Sequence, residues 1–446
     1  MRRKLLHQSL ALLCLLAPLP DAFAAGLPEP LTLEVCLALA DQQAPMLAAA
    51  ESRVAASRAE QDLARSALLP ELRLQGQLAY TKPTAPSVNE TGDWTADNRA
   101  GLVLRQSLID FGRRGSLLAA ARARRSASEL ALTDLRNQQR IEIMARYFEV
   151  LLADRRNEVA NEAMAVAFVR FRDGGDRKEV GDISELELAR LEDVFRTLRS
   201  RYVETQQAQR ESRLRLATAL GVEDAIPSEL VPPADLPAGV STEEFESLFK
   251  QALAGNPALR ALGASLKARE SEFQASRRNI LPSIGAEAQT NYYSRELATR
   301  ERWFVGLKLD WPLYEGGAQG AARSRALARL NEGRAELADR RLRLREALMN
   351  VLSDMETLRE RQKAAEARLK YRNKALDLGR SLYELELKSD LGNAMVDFTD
   401  AELFQAEVRY AMALNAARLQ ALLGQPVHFP AQDSKAVKET SNAQRP

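Results

Sequence analysis

The sequence is poor in the residues from which most enzyme sites are built. Its 446 residues include two histidines, His7 and His428, and two cysteines, Cys14 and Cys36. Two histidines at opposite ends of a chain do not supply a histidine-based metal site or a catalytic triad. The glycine-rich phosphate-binding patterns G-x-G-x-x-G and G-x-x-x-x-G-K are also missing from the sequence. We therefore expect no enzyme activity, no cofactor and no metal.

Long apolar runs are equally scarce. The one long run, residues 5–19, follows the basic residues 2–4 and precedes the small-x-small triplet AFA at residues 22–24. This order is typical of a secretory signal peptide, so we expect residues 1–24 to be cleaved on export. A buried N-terminal helix is the alternative. Elsewhere no run reaches the roughly 18 apolar residues that a membrane-spanning helix needs, so a membrane contact would come from strands or from the surface.

Neither sign of charge dominates. The formal net charge is +2, and residues 1–24 carry three basic residues and one acidic residue, which leaves the mature chain at zero (2 − 3 + 1). A neutral chain gives no electrostatic support for nucleic-acid binding. Removal of residues 1–24 also leaves Cys36 as a single cysteine, which excludes an intrachain disulfide.

What the sequence does have is internal repetition. The segment from residue 44 to the triplet LLP at 68–70 matches the segment from residue 256 to the triplet ILP at 280–282, a shift of 212 positions (256 − 44). Residues 108–115 (LIDFGRRG) match residues 313–320 (LYEGGAQG), and each half ends in a helix-like run stopped by glycine. We therefore predict a tandem duplication, with a first repeat over 25–226, a linker over 227–240, a second repeat over 241–425 and a polar tail over 426–446.

Each repeat is predicted to run helix, two strands, very long helix, long helix. The strand hairpins lie in residues 72–110 and 283–313. Apolar and polar residues alternate over 72–80, 100–108, 283–293 and 303–313, which are the four predicted strands. In the last strand, Trp303, Val305 and Leu307 share one face, while Lys308 and Asp310 share the other. The alternation and the aromatic residues at the strand ends predict strands of a transmembrane barrel. A half-buried antiparallel sheet in a soluble domain is the alternative.

Four strands are too few to close a membrane barrel, since known barrels start at about eight strands. An open sheet edge in lipid leaves backbone groups unpaired, which is costly. We therefore expect copies of the chain to complete the barrel by cyclic symmetry, and three copies would give twelve strands. The number of copies is not fixed by this argument.

The helices are predicted to form the wall of a tube below the barrel. No proline interrupts the helical pattern from Gly112 to about Phe171 or from Ala318 to about Tyr383. Helices of about 60 residues are roughly 90 Å long. Their alanine-rich faces, with interleaved arginine and glutamate, suit close packing of neighbouring helices. A solvated coiled-coil rod is the alternative.

These motifs resemble a known family. The duplication, the LLP triplet before the first strand, PLYEGG after the last strand and the LG helix ends are similar to those of the TolC-like outer membrane efflux protein (OEP) family, over roughly residues 30–425. The resemblance implies a mainly α fold with transmembrane β-strands: four strands per protomer in a trimeric 12-stranded barrel of the outer membrane, above a helical periplasmic tunnel.

The resemblance also implies a function and partners. The chain is expected to be the passive exit duct of a tripartite efflux pump or a type I secretion system, working as a homotrimer in outer-membrane lipid. Its expected partners are a periplasmic adaptor (membrane fusion) protein and an inner-membrane RND or ABC transporter, with no nucleic acid. The alternatives are a periplasmic adaptor-type protein and a structural coiled-coil envelope protein without a pore.

A candidate gate comes from the same resemblance. Residues 395–403 (MVDFTDAEL) are similar to the family pattern L-D-V-L-D-A, which implies that Asp397 and Asp400 ring the periplasmic mouth of the tunnel. Glu185 falls where some members carry an acidic partner, but Asn393 stands where the locking arginine would be. A ring of carboxylates favours cations. The alternative is that the two aspartates only complement the helix dipole.

The two matched turns are a second candidate site. Asp110 and Gly112 in the first repeat, and Glu315, Gly316 and Gly317 in the second, lie where a predicted strand becomes a predicted helix. Glycine relaxes the backbone at such a bend. We therefore predict these residues at the joint between barrel and tunnel.

Overall fold

The structure is a computed structural model that describes residues 29–82, 94–222, 229–233, 236, 244–295, 300–385, 387 and 390–427. The predicted signal peptide, part of the predicted linker and most of the predicted tail lie outside the described residues. The helices are α1 (Leu33–Gln43), α2 (Pro45–Ser66), α3 (Arg113–Glu179), α4 (Glu185–Leu220), α5 (Phe245–Gly255), α6 (Pro257–Arg277), α7 (Ala318–Glu384) and α8 (Leu391–Leu423). The strands are β1 (Glu71–Gln77), β2 (Tyr80–Thr81), β3 (Thr95–Ala96), β4 (Arg99–Ile109), β5 (Ser283–Tyr293) and β6 (Trp303–Asp310).

The order of elements confirms two structural repeats in a mostly helical fold. The sequence α1, α2, β1, β4, α3, α4 recurs as α5, α6, β5, β6, α7, α8. The short strands β2 and β3 of the first repeat have no counterpart among the described residues of the second. Pro45 and Pro257 occupy the first turns of α2 and α6, where the missing N–H leaves no helical hydrogen bond unmade. The matched prolines therefore mark the same helix start in both repeats.

The two longest helices, α3 and α7, have 67 residues each and are about 100 Å long at 1.5 Å per residue. Helix α3 continues beyond the predicted end at Phe171 and passes through Gly174. A Cβ atom at Gly174 would lie 2.6 Å from Leu191 of α4, so this glycine permits close packing of the two helices and does not end the first one. The helix ends before Gly181, which has φ +76°.

Helices α4 and α8 return alongside the long helices. Helix α4 packs against α3, and α8 packs against both α7 and α3. The α3–α4 pair is tied by the guanidinium of Arg213, which donates to both carboxylate oxygens of Asp154 at 2.7 and 2.9 Å. Within the described part of the chain, no helix combines the length and the apolarity needed to cross a membrane.

The four long strands form one antiparallel sheet in the order β1-β4-β5-β6. Residues that pair across the sheet share a face. One such row is Leu72, Leu104, Ala288 and Val305, and the next row along the strands is Glu71, Arg105, Glu287 and Gly306. The sheet is therefore apolar on one face and polar on the other, as the alternation in the sequence predicts.

Two of the predicted strands are shorter than expected. The first strand ends at Gln77, because the backbone N–H of Ala79 turns to the side chain of Asn98 and the short β2–β3 pair begins at Tyr80. The last strand ends at Asp310, two residues before Pro312, which has no N–H to donate to a ladder. The strand predicted over residues 283–293 is observed with those bounds.

The helices repeat the order of the strands. Helix α3 packs against α2 on one side and α6 on the other, and α6 packs against α7. Each of these helices is joined directly to one strand: α2 to β1, β4 to α3, α6 to β5 and β6 to α7. A four-stranded sheet thus continues into a layer of four helices in the same lateral order.

The largest core lies well away from the sheet, where the start of the described chain and the predicted linker meet α3. Leu31 and Leu230 form a parallel β-bridge. The hydroxyl of Tyr147 donates to the carbonyls at this bridge, 2.9 Å from Leu31 O and 2.7 Å from Val231 O. The residues buried around it come from α1, α3, α4 and α8: Cys36, Ile143, Met144, Leu216, Leu220 and Ala413.

Burial of Cys36 gives a direct test of this core. The Cys36 side chain is fully buried, and burial raises the pKa of its thiol to about 12. At pH 8 only about one thiol in 10⁴ is then ionised, and only the thiolate attacks the sulfur of a disulfide reagent and displaces its leaving thiolate. In the chain of residues 25–446 we expect no reaction with a disulfide reagent at pH 8 until the protein is unfolded in guanidinium.

The control is a Ser52→Cys variant, whose new thiol lies on an exposed face of α2. It should react within minutes under the same conditions and leave Cys36 untouched. Equal rates for the two thiols in the folded protein would contradict the core described above.

Candidate functional site

The first candidate site lies on α8, where the structure gives both predicted aspartates a partner on α7. The guanidinium of Arg372 donates to the carboxylate of Asp397, with Nη1 2.5 Å from Oδ2. Arg368, one turn earlier on α7, donates to Asp400, with Nη2 2.5 Å from Oδ2. The four side chains are between 30% and 44% exposed. Each carboxylate is therefore matched by a positive charge of the same chain.

The row of charges continues along α7. The guanidinium carbons of Arg368 and Arg361 lie 5.4 and 5.7 Å from the ring centre of Phe404, one turn beyond Asp400 on α8. Cation–π contacts of this kind are favourable and hold a guanidinium over the ring. Phe404 and the two aspartates thus fix three arginine side chains of α7 against one face of α8.

Glu185 lies on the other helical hairpin. It is the first residue of α4, whose start is capped by Ser184, and its side chain is 88% exposed. Its carboxylate lies 3.7 Å from Nζ of Lys178, a distance and an exposure at which an ion pair contributes little. The structure does not bring Glu185 into contact with Asp397 or Asp400.

The turn before α8 is held by a different acid. The carboxylate of Asp390 pairs with Arg170 of α3 and accepts a hydrogen bond of 2.7 Å from Asn393 Nδ2. A Cβ atom at Gly392 would lie 3.0 Å from the Val166 side chain of α3. Asn393, which stands where the family resemblance expects an arginine, therefore serves the turn of its own hairpin.

The second candidate site is the bend between β4 and α3. The carboxylate of Asp110 accepts hydrogen bonds from the backbone N–H groups of Gly112 and Arg114, at 3.0 and 2.8 Å. Phe111 and Gly112 both have a positive φ, +52° and +80°. A two-residue left-handed turn thus aims the first N–H groups of α3 at the Asp110 carboxylate, which satisfies two of the unpaired donors at a helix start.

The bend between β6 and α7 is built differently. Gly316 and Gly317 supply the two positive φ values, +59° and +86°. The side chain of Glu315 accepts from Gln319 Nε2 at 3.2 Å and caps no backbone N–H. The two bends therefore share their backbone shape but not their capping hydrogen bonds.

Metal binding has no support in either site. Among the residues the structure describes, no group of three or more His, Cys, Asp or Glu side chains is arranged to hold a metal ion.

The sequence model of one protein family, described as Outer membrane efflux protein, matches the chain over residues 36–222 and 248–425. The chain belongs to the outer membrane efflux protein family. The two matched stretches fall on the two structural repeats, and the family predicted from the sequence motifs is confirmed.

Two relatives and one solved structure illustrate the likeness. The chain is 26% identical to Protein CyaE of Bordetella pertussis over 357 residues, which cover 76% of this chain and 72% of CyaE. It is 25% identical to the alkaline protease secretion protein AprF of Pseudomonas aeruginosa over 421 residues, covering 89% and 81%. The crystal structure of the Campylobacter jejuni CmeC outer membrane channel has the same fold, with a TM-score of 0.72, 19% identity and coverage of 92% and 89%.

The sequence analysis identifies the two aspartates of this site but not the two arginines that pair with them. Asp397 and Asp400 stand out because they fit a family pattern, whereas Arg368 and Arg372 are two of many arginines on α7. A usable signal was present: the arginines are four residues apart and the aspartates three apart, so each pair occupies one helix face. Antiparallel pairing of the two helices then brings the faces together.

The ion pairs predict local stabilisation of α8. Replacing both arginines (Arg368→Gln with Arg372→Gln) removes two half-exposed pairs worth about 0.2–1 kcal/mol each. We expect amide hydrogen exchange over residues 391–403 to become faster, by up to about 30-fold if both pairs contribute fully, because local opening costs less free energy. Hydrogen exchange with mass spectrometry measures this.

Arg343→Gln is the matched control, since Arg343 pairs with Asp339 inside α7 and does not contact α8. It should leave exchange over residues 391–403 unchanged. An unchanged rate in the double variant, or an equal rise in the control, would show that the pairs do not hold α8.

Proposed function

We propose that this chain is the outer-membrane exit duct of a tripartite efflux pump or a type I secretion system. Three copies close a 12-stranded barrel in the outer membrane, and their helices form a tunnel in the periplasm. The observation that carries the proposal is the continuity of four strands, in order, into four helices of the same chain. Among the described residues, the strand at each edge of the sheet has no partner on its outer side.

The unpaired edges support assembly with copies of the same chain. Strand β1 leaves its helix and β6 returns to its helix, so the two edge strands run in opposite directions. The β6 edge of one copy can therefore pair with the β1 edge of the next and continue the antiparallel order around a ring. Such closure removes every edge, which lipid requires, and three copies reach twelve strands.

The apolar face of the sheet supports a membrane environment. Leu74, Val305 and Leu307 are between 72% and 83% exposed in the single chain. A contiguous apolar face of this kind marks a surface that something else covers. In the proposed barrel this face meets lipid, and the polar face, with its Arg105–Glu287 ion pair of 3.0 Å, lines the lumen.

The proposed duct has a defined cellular location and defined protein partners. Residues 1–24 direct export and are removed, and the chain ends in the outer membrane with its helices in the periplasm. A passive duct takes its energy from an inner-membrane RND or ABC transporter, reached through a periplasmic adaptor. AprF is named as a secretion protein, which supports the secretion alternative alongside efflux. The duct carries out no catalysis.

The gate belongs to the same proposal. Asp397 and Asp400 lie towards the end of the helical layer far from the sheet, near the turn that joins α7 to α8. With Arg368 and Arg372 paired to them, the mouth of the tunnel carries opposite charges in equal number at this level. Its preference for cations is then set by the balance between the aspartates and the arginines, with Glu185 as a more exposed acid on the second hairpin.

Planar lipid bilayers test the duct and its mouth together. The purified protein should produce discrete single-channel currents. Replacing both aspartates (Asp397→Ala with Asp400→Ala) should raise conductance, weaken block by divalent cations and lower the cation-to-anion permeability ratio. Replacing both arginines with glutamine should raise that ratio, because carboxylates in a pore favour cations.

Arg341→Gln with Arg343→Gln provides a control that removes the same charge as the arginine double variant from exposed positions elsewhere on α7, and its permeability ratio should match that of the parent protein. A protein that never conducts would contradict the duct and favour an adaptor-type or structural envelope protein. Conductance with the same permeability ratio in all variants would reject the proposed mouth and leave the duct standing.

A further inference from the structure

A cleft of about 190 Å³ lies between α3, α6 and α7 just below the sheet. Its lining includes Arg113, which is the first residue of α3, and Asn279, which lies two residues beyond the end of α6. Arg325 and Arg329 line it from the eighth and twelfth residues of α7, and Glu272 and Ser276 are its polar lining residues from α6. At 1.5 Å per residue, the whole cleft lies within about 20 Å of the sheet, and Arg113, Asn279 and Arg325 within about 12 Å.

The cleft carries uncompensated positive charge. Three guanidinium groups line it against a single carboxylate, Glu272, and that carboxylate is already paired with Arg124 of α3. In the part of the chain that the structure describes, no hydrogen bond or ion pair engages the side chains of Arg113, Arg325 or Arg329, and all three residues are exposed. Three such groups converging on one small cleft repel one another unless an anion lies between them.

The geometry points to a binding site for an oxyanion of the phosphate class. Guanidinium groups bind phosphate oxygens through paired N–H donors and are weakly hydrated, which makes arginine the usual residue at such sites. The Asn279 amide adds neutral donors. The remaining wall is apolar, formed in part by Leu117 and the buried Ala275, so the cleft suits a phosphate ester that carries a hydrocarbon portion.

Two sources offer this chemistry: a phospholipid headgroup and a soluble phosphate compound. The polar zone on each side of a bilayer is roughly 5–8 Å thick, and the Arg113 end of the cleft lies at that distance from the sheet. Binding of a phospholipid headgroup rests on the proposed function, since it requires the sheet to lie in the membrane. Binding of a soluble phosphate compound does not.

Isothermal titration calorimetry of the full protein in a non-ionic detergent separates the sources. The titrants are inorganic phosphate, dihexanoyl-phosphatidylglycerol and, as a zwitterionic control, dihexanoyl-phosphatidylcholine. We expect saturable binding of phosphatidylglycerol that weakens at least about tenfold in the double variant Arg325→Gln with Arg329→Gln, because charge-assisted hydrogen bonds are lost. Inorganic phosphate binding with the same affinity would identify a soluble anion as the ligand of the same cleft.

The matched control is Arg323→Gln with Arg341→Gln, which removes the same charge from exposed positions of α7 outside the cleft. It should bind as the parent protein does. No saturable binding of either anion, or an equal loss in the control, would overturn the site. Bilayer conductance of all three proteins is measured in parallel. If the parent protein conducts but binds neither anion, the binding site is rejected and the proposed duct stands. If the parent protein does not conduct, the proposed duct is rejected.

Discussion

The two unpaired edges of the four-stranded sheet constrain everything else in this protein. Backbone N–H and C=O groups need partners wherever water is excluded, and β1 and β6 have none on their outer sides within the described residues. The sheet also exposes an apolar face that one chain does not cover. Both needs are met at once if copies pair edge to edge in a ring that turns the apolar face outwards.

The helices follow from the same constraint. Because every long strand continues into a helix with the same neighbours, a sheet that closes into a ring forces the helices below it to close as well. The bends at Gly112 and at Gly316–Gly317 provide the change of direction. Lower down, the core around Tyr147 joins the start of the described residues and part of the predicted linker to helices α1, α3, α4 and α8. The charges on α7 and α8 then lie near the far mouth of the resulting tube.

Much of this architecture is readable from the sequence because it rests on local periodicity. Alternation with a period of two gave the bounds of β5 correctly, and the lack of proline gave the lengths of α3 and α7 to within eight residues. Contacts between distant segments were not predictable. The pairing of Asp397 with Arg372 depends on the relative register of two antiparallel helices. The hydroxyl of Tyr147 contacts Leu31 and Val231, which lie 116 and 84 residues away in the sequence. Neither leaves a periodic signal.

In this account a single chain supplies one part of a closed ring of copies. The mass of the assembly tests this most directly. Native mass spectrometry of the detergent-purified mature protein should give a species of three protomers, which converts to single chains when the sample is heated in denaturing detergent. A stable, monodisperse monomer that stays in solution without detergent would contradict the account, because the edges and the apolar face of its sheet would then need no partner.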